Sequence, residues 1–169
     1  LLEIGSYEGG SAMRWAVSIA AHCGGGSVTC VDPWKPYLGS REIGLALVMD
    51  ADLASGVTFK RFLRNITLAP KEVPINYIVS TFEEALPILR NASYDIVFVD
   101  GLHTCVDVLH DLEAGAALLI EGGLLCGDDL EVQLDQVREV DRASFATDLE
   151  WNGHVHPGVT RAVGGVFGQ

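Results

Sequence analysis

Six side chains able to bind or move charge stand where apolar runs give way to turns: Glu3, Asp32, Asp100, His103, Asp128 and Asp129. Oxygen-only ligands suit Mg²⁺ or another hard divalent cation, which makes Asp100, Asp128 and Asp129 candidate metal ligands. An Asp-Asp pair in a loop is by itself commonly solvated or capping a helix; Asp100 one strand over gives it a second meaning. His103 follows Asp100 in a loop, where a lone histidine is more often a surface residue or a cap. Beside a ligand cleft it is the candidate general base, because imidazole titrates near neutrality. His154 and His156 would share one side of an extended segment, but no third ligand is close in sequence. His22 and His110 fall in helical stretches and are read as structural or exposed.

A second group lies at the start of the chain. Leu1-Leu2-Glu3-Ile4 breaks into Gly5-Ser6-Tyr7-Glu8-Gly9-Gly10, and an amphipathic segment begins at Ser11. Strand, glycine turn and helix in this order bind nucleotide-like ligands, although glycines kept for packing alone would look the same. Glu3 at the strand end suits a cation better than a pyrophosphate. Tyr7 stands where the middle glycine of G-x-G-x-x-G belongs, which disfavours close approach of a dinucleotide. Asp32 ends the next strand, the position from which a carboxylate holds a ribose diol; the alternative is a solvated acid in a turn.

The elements that must carry these groups alternate. Leu1–Gly5, Val28–Asp32, Pro74–Val79, Tyr94–Asp100 and Leu124–Gly127 read as strands. Ile96-Val97-Phe98-Val99 is continuously apolar, so both faces are covered, as in a parallel sheet. Helical stripes run from Ala12 to Cys23 and over Val57–Leu68. A third runs from Cys105 to Leu119 with Asp107, Asp111 and Glu113 opposite, and Gly122-Gly123 should end it. Ser80 to Glu83 or Thr81 to Glu84 can form a capping box, and Pro87 should shorten the helix it starts. Lys35–Ser55 is irregular and could hold a short helix or a flap. Val132–Ala143 reads as weakly helical, Trp151–Pro157 as loop and Gly158–Phe167 as a last helix. Right-handed crossovers then imply a doubly wound, mostly parallel α/β sheet of order 3-2-1-4-5. Its ligand edge lies at the strand C-termini, and strands about 4.8 Å apart bring Asp100, Asp128 and Asp129 within reach of one ion.

Composition narrows the partners. A length of 169 residues fits a single domain. A net charge of −12, from 23 acids against 11 Lys and Arg, argues against nucleic acid or an anionic membrane, since affinity for either rests on Lys and Arg. No apolar run of about 18 residues is present to span a bilayer. Cys23, Cys30, Cys105 and Cys126 lack CxxC spacing and read as reduced thiols, which points to the cytoplasm. The chain opens inside a strand without Met, so it is expected to be a fragment, truncated at both ends. Oligomeric state is not legible, and the sequence leaves room for a homo-oligomer.

The ordered motifs carry a resemblance. Glu3-Ile4-Gly5-Ser6-Tyr7-Glu8-Gly9 resembles the E/D-x-G-x-x-x-G motif of class I S-adenosylmethionine-dependent methyltransferases, and Asp32 matches their ribose-binding acid. Phe98-Val99-Asp100-Gly101-Leu102-His103, with Gly122-Gly123-Leu124-Leu125-Cys126-Gly127-Asp128-Asp129, is similar to a metal-dependent O-methyltransferase subgroup that includes enzymes methylating macrolide sugar hydroxyls. The resemblance covers Leu1 to about Asp129. It implies a Rossmann-like methyltransferase fold, S-adenosylmethionine as cofactor and Mg²⁺ on Asp100, Asp128 and Asp129. It also implies His103 as base and a small hydroxylated acceptor. The cofactor set it implies is Glu3, Gly5, Ser6, Tyr7, Gly9, Ser11, Asp32, Pro33, Trp34 and Asp100, with Ser80, Thr81 and Phe82 near the adenine. Cys105 stands where that subgroup often has an aromatic, and the last two strands of its sheet are not evident after Phe167. The expected function is methyl transfer to a hydroxyl. The alternatives are a non-catalytic Rossmann-like binding module or, less favoured by Tyr7, an NAD-dependent oxidoreductase.

Overall fold

The computed structural model describes residues 1–36, 45–139, 142–146, 151–152 and 154–168. Its five strands form one sheet of order β3-β2-β1-β4-β5, the doubly wound order expected from the alternation. The chain divides into two compact units, Leu1–Ala85 and Leu86–Gln169.

In the first unit, β1 (Leu2–Ile4) runs parallel to β2 (Val28–Asp32), with Ile4 opposite Val31. β2 runs parallel to β3 (Ile75–Val79), with Asp32 opposite Val79. Helix α1 (Gly10–His22) buries Ala12, Ala16 and Ile19; two of the three are alanines, so its backbone can approach the strands closely. Part of the irregular 35–55 stretch, including Gly39 and Gly44, lies outside the described residues; within them, Leu45–Ala54 form α2. Helix α3 (Val57–Ile66) inserts Phe62, which is fully buried, into a cluster with Trp34, Val28, Cys30 and Val73. Trp34 packs on Phe62 and Phe59 with ring centroids 4.5 and 4.8 Å away. Gly9 has φ +80°, and a Cβ there would stand 2.9 Å from Phe62 Cδ2, so the turn and α3 are fitted around a missing side chain. Of the two capping boxes open in sequence, Thr81 and Glu84 form theirs, each backbone N–H reaching the other's side chain at 3.3 Å. Helix α4 (Phe82–Ala85) stops after four residues and a 3₁₀ turn holds Pro87, because proline has no N–H to continue the α-helical hydrogen bonds.

In the second unit, β4 (Tyr94–Val99) pairs in parallel with β5 (Leu119–Gly127). Gly122-Gly123 does not end the preceding helix, as the sequence suggests. Helix α5 (Cys105–Leu118) ends four residues earlier and the chain enters β5 at once. The glycines serve a bulge instead: Tyr94 faces Leu119 while Ile96 faces Leu124, and Gly122 takes φ +78°. Thr104 caps α5, its hydroxyl accepting the Asp107 N–H at 3.3 Å. The expectation for 132–143 needs correction. Those residues hold a 3₁₀ turn at Leu134–Gln136 and the start of α6 (Arg142–Phe145), with 140–141 outside the described residues. Between 132 and 139 only Val137 is buried, so no apolar stripe docks a longer helix. Helix α7 (Pro157–Phe167) closes the unit. No helix among the described residues is long and apolar enough to cross a membrane.

Asp111 departs from the sequence reading too. It sits on the buried face of α5 with Val108, Leu112 and Leu118, 8% exposed. Burial pushes its carboxyl up to about 6, and His110 beside it pulls only partly the other way. The folded protein therefore holds this proton more tightly than the unfolded chain. Stability from this group is full below the ordinary aspartate range and falls as pH rises toward about 6. The loss should reach at most about 3 kcal/mol. Asp111→Asn should flatten that part of the stability-versus-pH curve, measured by denaturant melts from pH 4 upward.

Candidate functional site

The glycine turn is built around Asp32. Its Oδ2 accepts the backbone N–H groups of Ser6 and Tyr7, each at 2.9 Å, and its Oδ1 accepts that of Trp34 at 2.6 Å. Tyr7 and Trp34 both take left-handed backbone, φ +44° and +45°, and the Trp34 indole N–H donates to the Tyr7 carbonyl at 2.6 Å. The ends of β1 and β2 are thus tied by one carboxylate and one indole. Burial pushes Asp32 above the ordinary carboxylate range, and the three N–H groups draw it back. Glu3 is fully buried within β1; its Oε2 accepts from Ser6 Oγ at 2.9 Å and the Cys30 thiol at 3.4 Å. It therefore braces the turn from inside. Asn65 donates to the Glu8 carbonyl at 2.8 Å, and Arg61 joins Glu8 to Asp52, both contacts 2.8 Å. Gly5 (φ +81°) and Gly9 make the reversals, Ser11 lies in the first turn of α1 and Pro33 between Asp32 and Trp34. After β3, Ser80 donates to the Thr81 carbonyl and Phe82 is buried.

The second unit gathers the other group. His103 Nε2 stands 2.9 Å from Asp129 Oδ2 and 3.8 Å from Asp100 Oδ1. Burial pushes Asp100 above the ordinary range, with His103 opposing and the charges of Asp128 and Asp129 adding to it. Asp129 has φ +62°, and its N–H donates to Asp128 Oδ1 at 2.9 Å. His156 Nδ1 lies 2.7 Å from Glu131 Oε1 and 3.7 Å from Asp129 Oδ1. Burial acts to push Glu131 up, but the backbone N–H and imidazole of His156 hold it below the ordinary value. Among the described residues, the ligand-type atoms that lie within 4.8 Å of one another belong to His103, Asp129 and His156. Asp100 and Asp128 are not in that group. A cavity of about 210 Å³ is lined by Asp100, His103 and Asp128 and walled by apolar side chains, Leu112, Leu125 and Phe167 among them.

Residues 2–130 match a family model described as a methyltransferase domain. The chain belongs to this methyltransferase family. No curated protein matches the chain. Among solved structures, a structural-genomics target protein from Corynebacterium glutamicum is similar, at 20% identity over 85% of this chain and 51% of that one, TM-score 0.43. The chain thus spans about half the length of that protein.

Beyond the matched residues 2–130, the sequence pairs His156 with His154 and offers them no third ligand, and it assigns Glu131 and Gly158 no site role. A signal existed for the first: Pro157 opens α7 at its first turn and makes His156 the helix-capping position, which separates it from His154. His154 is exposed, its N–H donating to Asn152 Oδ1 at 3.1 Å. Glu131 and Gly158 carry no such mark, because their roles depend on which loop lies opposite.

Proposed function

We propose that this chain transfers the methyl group of S-adenosylmethionine to a hydroxyl of a small molecule, with His103 taking the proton. The observation that carries the donor half is the use of the turn's N–H groups. Those of Ser6 and Tyr7, which a dinucleotide site would aim at phosphate, are already held by Asp32. The turn itself contains Glu8 and no Lys or Arg. Such a donor set suits a cationic sulfonium ligand with a ribose, and Asp32 Oδ1 retains acceptor capacity for a ribose hydroxyl. Gly5, Ser6, Tyr7, Gly9, Ser11, Pro33 and Trp34 shape that subsite, Glu3 supports it from within, and Ser80, Thr81 and Phe82 belong to its adenine side. S-adenosylmethionine supplies an electrophilic methyl group when bound.

On the acceptor side, His103 has Asp129 and Asp100 beside Nε2. Both carboxylates favour the imidazolium that proton uptake creates. Apolar walls around Asp100 and His103 suit an acceptor with an apolar body and one hydroxyl. A hard cation on Asp100, Asp128 and Asp129 would add Lewis acidity. The donor atoms gathered here are instead those of His103, Asp129 and His156, so proton removal is assigned to His103 without Mg²⁺.

Thermal-shift titration tests the donor half. S-adenosylmethionine and S-adenosylhomocysteine at a hundred times their dissociation constants should each stabilise by about 2.7 kcal/mol, and NAD should not. A shift with NAD alone would favour an oxidoreductase, and no shift with any of the three a binding module of another kind. Methyl transfer from labelled donor to a panel of phenols and sugars then tests the acceptor half; transfer to amines alone would overturn it.

A further inference from the structure

Three ligand-type side chains from three separate loops converge in the second unit: His103 after β4, Asp129 after β5 and His156 before α7. One donor atom of each lies within 4.8 Å of the others. The imidazole centroids are 4.6 Å apart with planes at 43°, so the rings approach the shared carboxylate from different directions. Asp129 reaches both from a left-handed backbone, φ +62°, which an L-residue rarely adopts. Glu131 takes Nδ1 of His156 at 2.7 Å and its backbone N–H at 3.1 Å. The same Nδ1 lies 3.7 Å from Asp129 Oδ1, so the Glu131 carboxylate holds the imidazole beside Asp129, as carboxylates commonly hold metal-bound histidines. Thr160 Oγ1 donates to the Val132 carbonyl at 3.0 Å, tying α7 to the loop that carries Asp129 and Glu131.

We propose that His103, Asp129 and His156 form a binding site for a divalent metal of the Zn²⁺ and Co²⁺ class. Two imidazole nitrogens and one carboxylate suit those ions, whereas Mg²⁺ prefers oxygen alone. A ligating imidazole must be neutral. Metal and proton therefore compete at His103, and an occupied site cannot use it as a base. The binding half stands on the geometry alone; the inhibitory half rests on the reading of His103 as base.

The test uses the purified chain without donor or acceptor, titrated with Co²⁺ in visible absorption and with Zn²⁺ or Mg²⁺ by calorimetry. The expected result is one equivalent of Co²⁺, without the near-ultraviolet thiolate band that Cys23 would give, and Zn²⁺ bound more tightly than Mg²⁺. Glu131→Gln should weaken binding roughly 10–100-fold. His156→Ala and His156→Asn should weaken it further, and Asp128→Asn should leave it unchanged. Absence of saturable Co²⁺ uptake, or uptake that survives both His156 variants, overturns the site. Loss in Asp128→Asn with retention in His156→Ala would replace it with an oxygen-only one. S-adenosylmethionine binding, measured on the same sample, tells failure of the metal site from failure of the methyltransferase reading. With an acceptor that turns over, Zn²⁺ should lower the rate and a chelator restore it; a rate raised by Zn²⁺ sinks the inhibitory half.

Discussion

Gly158→Ala is expected to unseat α7 and to pull His156 away from Asp129. A Cβ at position 158 would stand 2.1 Å from the His103 carbonyl, 2.6 Å from the Cys105 nitrogen and 2.7 Å from the Thr104 carbonyl carbon. All three are backbone atoms, so no rotamer change relieves the overlap and the helix or the His103 loop must move. Overpacking costs about 1–3 kcal/mol and occasionally more; rigid surroundings place this case at about 3 kcal/mol or above. For a chain of this length that is roughly a 6–12 °C fall in Tm, read by calorimetry. Gly165→Ala is the control. It lies in the same helix with nothing within 4 Å of the added methyl, and alanine's better helix propensity should stabilise by up to about 1 kcal/mol. Equal Tm values for the two variants would show that α7 does not rest against the His103 loop.

His103→Ala should reduce methyl transfer by roughly 10²–10⁴-fold, the usual contribution of a positioned acid or base, while leaving donor affinity unchanged. The separation is informative because the turn proposed to bind the donor lies in the first unit and His103 in the second. Loss of the rate with donor affinity intact identifies a proton acceptor; loss of both identifies a structural role. Asp129→Asn should give a smaller drop, since Asp100 still faces the imidazole at 3.8 Å. Unimpaired turnover in His103→Ala would remove it from the chemistry.

Strand positions and their order were legible because they rest on local signals: β-branched runs, a continuously apolar β4 and glycines between them. The turn around Asp32 was legible for the same reason, as its residues follow the ends of two strands. What escaped depends on partners distant in sequence. Asp111 falls among the acids of α5 on paper, yet α5 turns it inward with Val108 and Leu118. Gly122 reads equally well as a helix stop and as a strand bulge, and pairing with β4 settles which. His156 meets Glu131 across 25 residues of chain, and no pattern within either segment encodes that encounter. Asp128 and Asp129 look equivalent as neighbours, yet Asp129 Oδ2 meets His103 at 2.9 Å while Asp128 Oδ1 accepts the Asp129 N–H.

The three N–H groups on Asp32 have a thermodynamic consequence. A turn already held by Ser6, Tyr7 and Trp34 has spent its conformational entropy during folding, so a ligand pays little to order it. Replacing Asp32 should therefore slow capture of the donor as well as weaken its hold, because the variant must find the bound shape among many.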